Sequence, residues 1–160
     1  MSAFGKYERY IQITGKIGGA LSCAGSGYIF QDVLRDPNKR LKSTYHRIML
    51  GLSIMDIISS FFLWFIGSWA MPKGSWSWSA GNITTCDIAG FLGNTGWAAS
   101  PFYNCTLATF YLLQLKYNLS DRRMKAAEKW LHIVPWSITL AIGIAMLSTK
   151  MYGPSGGICW

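Results

Sequence analysis

Four long apolar stretches, separated by short polar links, leave this chain few ways to fold. They cover residues 11–34, 48–71, 88–115 and 130–149. A helix needs about 20 mostly apolar residues to cross a bilayer, and the last three stretches meet that length. The third, at 28 residues and about 1.5 Å rise per residue, exceeds a hydrocarbon core of about 30 Å and is expected to tilt or protrude. The first is weakest. Lys16 lies near its start, and Gly15, Gly18, Gly19, Gly25 and Gly27 dilute it. Gly15, Gly19, Cys23 and Gly27 nevertheless line one narrow face, and small residues let helices approach closely in lipid. A loose interfacial helix is the alternative there.

Composition supports the same class. Only 14% of the 160 residues are charged, against about 25% in soluble domains. The net charge of +8 would suit a nucleic-acid partner if it formed one basic face. Instead ten of the fifteen basic residues crowd two links and their edges. Residues 35–43 carry Arg35, Lys39, Arg40 and Lys42, with Arg47 just beyond, and residues 116–129 carry Lys116, Arg122, Arg123, Lys125 and Lys129. The positive-inside rule assigns both links to the cytosol and to the lipid headgroups there. The N-terminus, residues 72–87 and the C-terminus then face outward. The first ten residues are polar, with no apolar run behind a basic start, so the first stretch is expected to act as its own insertion signal. The expectation is an all-α, polytopic transmembrane bundle of four spans, with residues 1–160 forming a single membrane domain, most simply at the plasma membrane.

Three features agree with that orientation. Asn82-Ile83-Thr84 is a glycosylation acceptor in the link assigned outside. Trp69, Trp76 and Trp78 gather at the same level, as an interfacial aromatic belt does. Cys86 and Cys159 both fall on the oxidising side, where a disulfide between them is permitted and two free thiols are the alternative.

Asp32 lies at the very end of the first stretch; Asp56 is the one acid deep inside a predicted span, about 12 Å into its helix. Such a group needs a partner, a bundle interior or water. Asn94, Ser100, Asn104 and Thr106, all on the polar third stretch, are the candidates. Asp56, Asn94 and Asn104 are therefore read as an intramembrane polar network, serving either as a structural hydrogen-bond node or as a site that changes state in a conformational switch. Pro101 is expected to bend the third helix. No phosphate loop, metal-spaced Cys/His cluster or nucleophile elbow is present. No cofactor, metal site or enzymatic activity is expected.

This arrangement resembles the first half of a seven-helix G-protein-coupled receptor. Leu52-Ser53-Ile54-Met55-Asp56 is similar to the Leu-x-x-x-Asp core of the second helix in rhodopsin-like receptors. Cys86 opens the third helix after a tryptophan-bearing outer link. Cys159-Trp160 is similar to the start of the second extracellular loop in cyclic-AMP-receptor-like and secretin-like receptors. The rhodopsin-like Asp-Arg-Tyr is replaced by the stretch ending Leu115-Lys116-Tyr117, which moves the resemblance toward the cyclic-AMP-receptor-like group. The resemblance implies a Cys86–Cys159 disulfide, a sodium and activation-network role for Asp56, an extracellular ligand, and a heterotrimeric G protein at the basic links. It also implies that the chain is the N-terminal portion of a longer protein. A four-span adhesion protein of claudin or tetraspanin type is the main alternative, but those keep both termini in the cytosol, and their Gly-Leu-Trp-x-x-Cys and Cys-Cys-Gly motifs are absent. A transporter fragment would be favoured by an inverted repeat, and none is visible.

Overall fold

The computed structural model describes residues 3–38 and 43–160, the side chains of residues 3–6 and 121 excepted. Helix α1 runs Ala3–Arg35. Helix α2, Thr44–Ser59, continues as a π-helical turn, Ser60–Phe65, and then a short helix α3, Gly67–Ala70. Helix α4 is Ile83–Leu115 and helix α5 is Asp121–Ser148. A two-stranded antiparallel hairpin follows, β1 Pro154–Ser155 and β2 Ile158–Cys159. The fold is therefore all-α apart from this hairpin. Among the described residues, two helical stretches, Thr44–Phe65 and Arg122–Ser148, are long and apolar enough to cross a membrane. Helices α1 and α4 have 33 residues each. The glycines and charges of α1 and the Asn, Thr, Ser and Gly content of α4 lower their apolarity.

Helices α1, α4 and α5 are longer than their apolar stretches, whereas the second stretch is divided among α2, the π-turn and α3, and local chemistry explains most of the ends. Asn82 caps α4: its side chain accepts from Thr85 N, and the Thr85 hydroxyl accepts from Asn82 N. This reciprocal cap satisfies two of the backbone donors that a helix start leaves open. Ser43 caps α2 by accepting from His46 N. Helix α3 stops because Pro72 disfavours helical geometry in the residue before it, and Met71 is extended with ψ 151°. Residues 121–129, expected in a link, are instead the first turns of α5, with Met124 buried against the core. Good helix formers fill this run, so polarity marked the membrane edge there and not the helix edge. Arg122, Arg123 and Lys125 therefore project from α5, Lys116 caps α4 and Arg35 ends α1. Lys39, Arg40 and Lys42 lie outside the described residues.

The helices pack in a row, α1 on α2, α2 on α4 and α4 on α5. The polar third stretch thus sits inside the bundle. A core of Ile48, Met55, Ala99, Tyr103, Phe110 and Met124 joins α2, α4 and α5. Small residues set the spacing. A Cβ on Gly96 would stand 2.8 Å from Met55 O and Ser59 N, and one on Gly93 would stand 3.0 Å from Leu63. On α1, a Cβ on Gly19 would stand 2.9 Å from Ser60 O, and Cys23 Sγ approaches Ile57 O at 3.8 Å. Gly27, at the end of the same sequence face, meets nothing within 4 Å. Helix α5 leaves Ile133, Val134, Ile144 and Leu147 exposed.

Proline shapes the α4–α5 contact. Pro135 has no N–H to give to Leu131 O, four residues earlier. Thr106 Oγ1 on α4 donates to that carbonyl instead, at 3.2 Å. Lys16 is accommodated in the same manner. Its ammonium donates to Phe65 O at 2.9 Å, where the π-turn ends, and lies 3.6 Å from the centre of the Trp69 ring.

Gly96→Ala is expected to destabilise the protein by about 1–3 kcal/mol, because backbone cannot yield to the added methyl. Gly18→Ala, whose Cβ meets nothing within 4 Å, is expected to be neutral or to gain up to about 1 kcal/mol from helix propensity. Thermal unfolding of the two variants in detergent, beside the parent, measures the difference.

Candidate functional site

Three polar assemblies lie along α4, one at each end of the bundle and one between them. The middle one centres on Asp56. Ser100 Oγ donates to Asp56 Oδ1 at 2.5 Å, and Ser59 Oγ donates to the Asp56 carbonyl at 3.1 Å. Ser100 follows Gly96 by about one helical turn, so the close approach at Gly96 brings its hydroxyl to α2. The other expected partners do not join Asp56. Asn94 is buried, but its amide donates to Gly90 O on its own helix at 2.9 Å. Thr106 is occupied by Leu131 O. Asn104 is exposed on another face of α4. The structure thus makes an Asp56–Ser100 pair, with Asn94 and Asn104 outside it.

At the end that carries the basic residues, Glu128 of α5 reaches back to α2. Arg47 Nη2 donates to Glu128 Oε2 at 2.6 Å, and Arg47 Nε donates to Oε1 of the same carboxylate. Thr44 Oγ1 donates to Glu128 Oε2 at 2.8 Å. A forked guanidinium–carboxylate pair of this kind fixes geometry as well as charge. One turn further along α5, His132 Nδ1 lies 3.1 Å from the Tyr103 hydroxyl in a hydrogen bond. The Tyr103 ring in turn fills the space over Gly51 of α2, where a Cβ would stand 2.7 Å from the ring. Sequence reading passed over Arg47 and Glu128 as partners. Their separation of 81 residues carries no local signal, and Glu128 shares the stretch 116–129 with a second acid, Asp121, so nothing in the sequence singles it out. His46 is hydrogen-bonded to Ser43 Oγ at 2.7 Å, within the α2 cap.

At the opposite end Cys86 and Cys159 form a disulfide with their Cα atoms 5.3 Å apart. It closes a separation of 73 residues and pins the hairpin to the first turn of α4. The hairpin can turn in two residues because Gly156 and Gly157 take φ of 56° and 91°, which suits glycine. Cys159 Sγ contacts Gly67 O at 3.8 Å, and Trp160 packs edge-on against Trp97 with ring centres 5.1 Å apart. Tyr152 lies over Gly90 and donates to Gly143 O at 3.3 Å. Residues 72–82 fold back on themselves, with Gly81 N donating to Met71 O at 2.9 Å. Asn82 is exposed beside this cap. An apolar cavity of about 360 Å³, lined by Phe62, Ile66, Trp69, Thr85 and Ile88 among others, opens between α3 and the start of α4.

The chain is 25% identical over 123 residues to the ascaroside receptor GPR2 of the fungus Arthrobotrys oligospora, a similarity that covers 76% of this chain and 30% of that receptor. The chain therefore spans about a third of the length of this curated relative. No family model matches, and no solved structure matches. The similarity is distant, and it is to a receptor of the G-protein-coupled type.

Glu128→Ala is expected to cost about 1–3 kcal/mol by withdrawing the acceptor of a partly buried guanidinium. The figure stays below that for a fully buried pair because the two side chains keep 22% and 14% exposure. Combining it with Arg47→Ala is expected to cost clearly less than the sum of the single losses. A double-mutant cycle on thermal unfolding reads the coupling, and additive losses would remove the pair's role as a clamp.

Proposed function

We propose that this chain is the N-terminal part of a seven-helix G-protein-coupled receptor that carries an extracellular signal to a cytosolic G protein. The observation that carries the reading is the distant similarity to a fungal ascaroside receptor over most of the chain. It is supported by the disulfide from the start of α4 to the hairpin after α5. In this reading α1, the α2–α3 stretch, α4 and α5 are the first four spans. The N-terminus, the disulfide and the hairpin face outward, and the basic helix ends face the cytosol, following the positive-inside rule. Asn104 adds an argument of its own. An amide exposed in mid-helix is a poor neighbour for bare lipid, and later helices would give it something to pack on. Asp56 with Ser100 would be the polar node that holds α2 and α4 in register while other helices switch, and the basic residues from Arg35 to Lys42 and from Lys116 to Lys125 would face the G protein. The protein is not an enzyme in this reading and takes no cofactor.

An N-terminal epitope tag is expected to be stained by antibody on intact cells. Staining only after permeabilisation overturns the orientation. For function, the chain with any downstream part of its open reading frame is expressed with a G-protein reporter and challenged with ascarosides, the ligand class in the relative's name. A dose-dependent signal that Asp56→Leu weakens is expected. Silence from protein that is demonstrably at the surface counts against a receptor of this ligand class.

A further inference from the structure

Two buried polar groups with no partner converge on one small cavity at the disulfide end. Gln12 of α1 is 4% exposed and Ser68 of α3 is 3% exposed. Gln12 Oε1 and Ser68 Oγ make no hydrogen bond to protein. Both residues line a void of about 20 Å³, together with Ile11, Trp64 and the hairpin residues Gly157 and Ile158. The orientation of the Gln12 amide follows from its other end. Gln12 Nε2 donates to Ser77 O at 2.6 Å, and a flipped amide would set oxygen against oxygen there. The acceptor Oε1 is thereby directed away from Ser77 and left to find a donor.

We propose that this cavity holds one internal water, bridging Gln12 Oε1 and Ser68 Oγ and so tying α1 to α3 beneath the hairpin. The size and the chemistry both select water. A single water needs roughly 10–15 Å³ of such space and two to four polar partners, and this void has room for one and not for an organic ligand. The water donates one hydrogen to Gln12 Oε1 and exchanges a second hydrogen bond with the Ser68 hydroxyl, which can give or take. No carboxylate lines the void, so a cation lacks the compensating charge it would need. A dry void would leave two buried groups unpaired at one place, which is among the costliest arrangements in a protein interior. The water also explains how a buried glutamine is tolerated on an otherwise apolar stretch of α1. One end of its amide holds residues 72–82 through Ser77, and the other holds α3 through the water.

Two measurements on the full chain in detergent test this. Ser68→Ala is expected to lower the thermal midpoint by about 2–4 °C. In a Gln12→Ala background, where the water has already lost its first anchor, the same change is expected to have a clearly smaller effect. Gln12 and Ser68 make no direct hydrogen bond, so coupling between them reports the bridge. A Ser68→Ala variant that is neutral or more stable, or an equal loss in both backgrounds, overturns the proposal. Should Gln12→Ala fail to fold, an experimental structure at a resolution that shows ordered solvent decides. A peak within about 2.7–3.2 Å of both oxygens supports the bridge, and a void without one overturns it.

Discussion

Helix α4 stands closer to α2 than ordinary side chains allow, and most of the polar geometry follows from that spacing. At Gly96 the backbone of α2 comes within 2.8 Å of where a Cβ would be, and at Gly93 Leu63 of the π-turn comes within 3.0 Å. Apolar side chains gain nothing from leaving lipid for another helix, so close packing and hydrogen bonds must hold such a pair. Each requires short range. Ser100 reaches Asp56 because Gly96, one turn away, removes the side chain that would hold the helices apart. Tyr103 lies over Gly51 by the same logic in reverse, with the large residue on α4 and the small one on α2. Gly90 and Gly143 repeat the device around Tyr152 and Thr95, which brings α5 and the segment after it onto α4.

The apolar stretches were legible in the sequence because hydropathy reports what a segment can bury; the first, third and fourth each form the body of one helix, and the second is divided among α2, the π-turn and α3. Helix ends were not, because capping and propensity decide them. Asn82 started α4 five residues before its apolar stretch, and the helix-forming run after Ser120 carried α5 well into the basic link. Asn82 with Thr85 three residues on was a readable cap, obscured by its second meaning as a glycosylation acceptor. The need of Asp56 for a partner was legible, but the choice among four candidates was not. It depends on rotation of α4 about its axis, which turns Ser100 toward α2 and leaves Asn104 exposed. Contacts across long separations left the least trace. Arg47 with Glu128, Lys16 with Phe65 O and Gln12 with Ser77 O join residues that no local pattern connects.

The two ends of the bundle are held by different physics. At the disulfide end a covalent bond, a hairpin and a folded link fasten α4, α3 and the segment after α5 together. At the basic end α5 is joined to its neighbours without a covalent tie, by the Arg47–Glu128 pair with Thr44, by hydrogen bonds from Thr106 and between Tyr103 and His132, and by Met124 in the core. The ion pair is partly exposed, and exposed electrostatics weaken with salt and solvent in a way that a disulfide does not. Salt is therefore expected to loosen the Arg47–Glu128 contact and to leave the tied end unchanged.

That asymmetry bears on how a receptor built on this unit would switch. Helices α2 and α4 interlock through glycine-to-backbone contacts at two levels and through the Asp56–Ser100 bond between them. Packed surfaces of this kind move between discrete arrangements and do not slide continuously. A small shift of α4 along α2 would drive a backbone atom into a glycine's space and break the carboxylate's hydrogen bond in the same step. The α2–α4 pair thus behaves as one rigid unit. Movement at the basic end falls to elements held there by weaker bonds, namely α5 through Glu128 and any helix seated on the exposed face of α4 around Asn104. In the receptor reading, the Asp56–Ser100 node belongs to the frame against which other helices move.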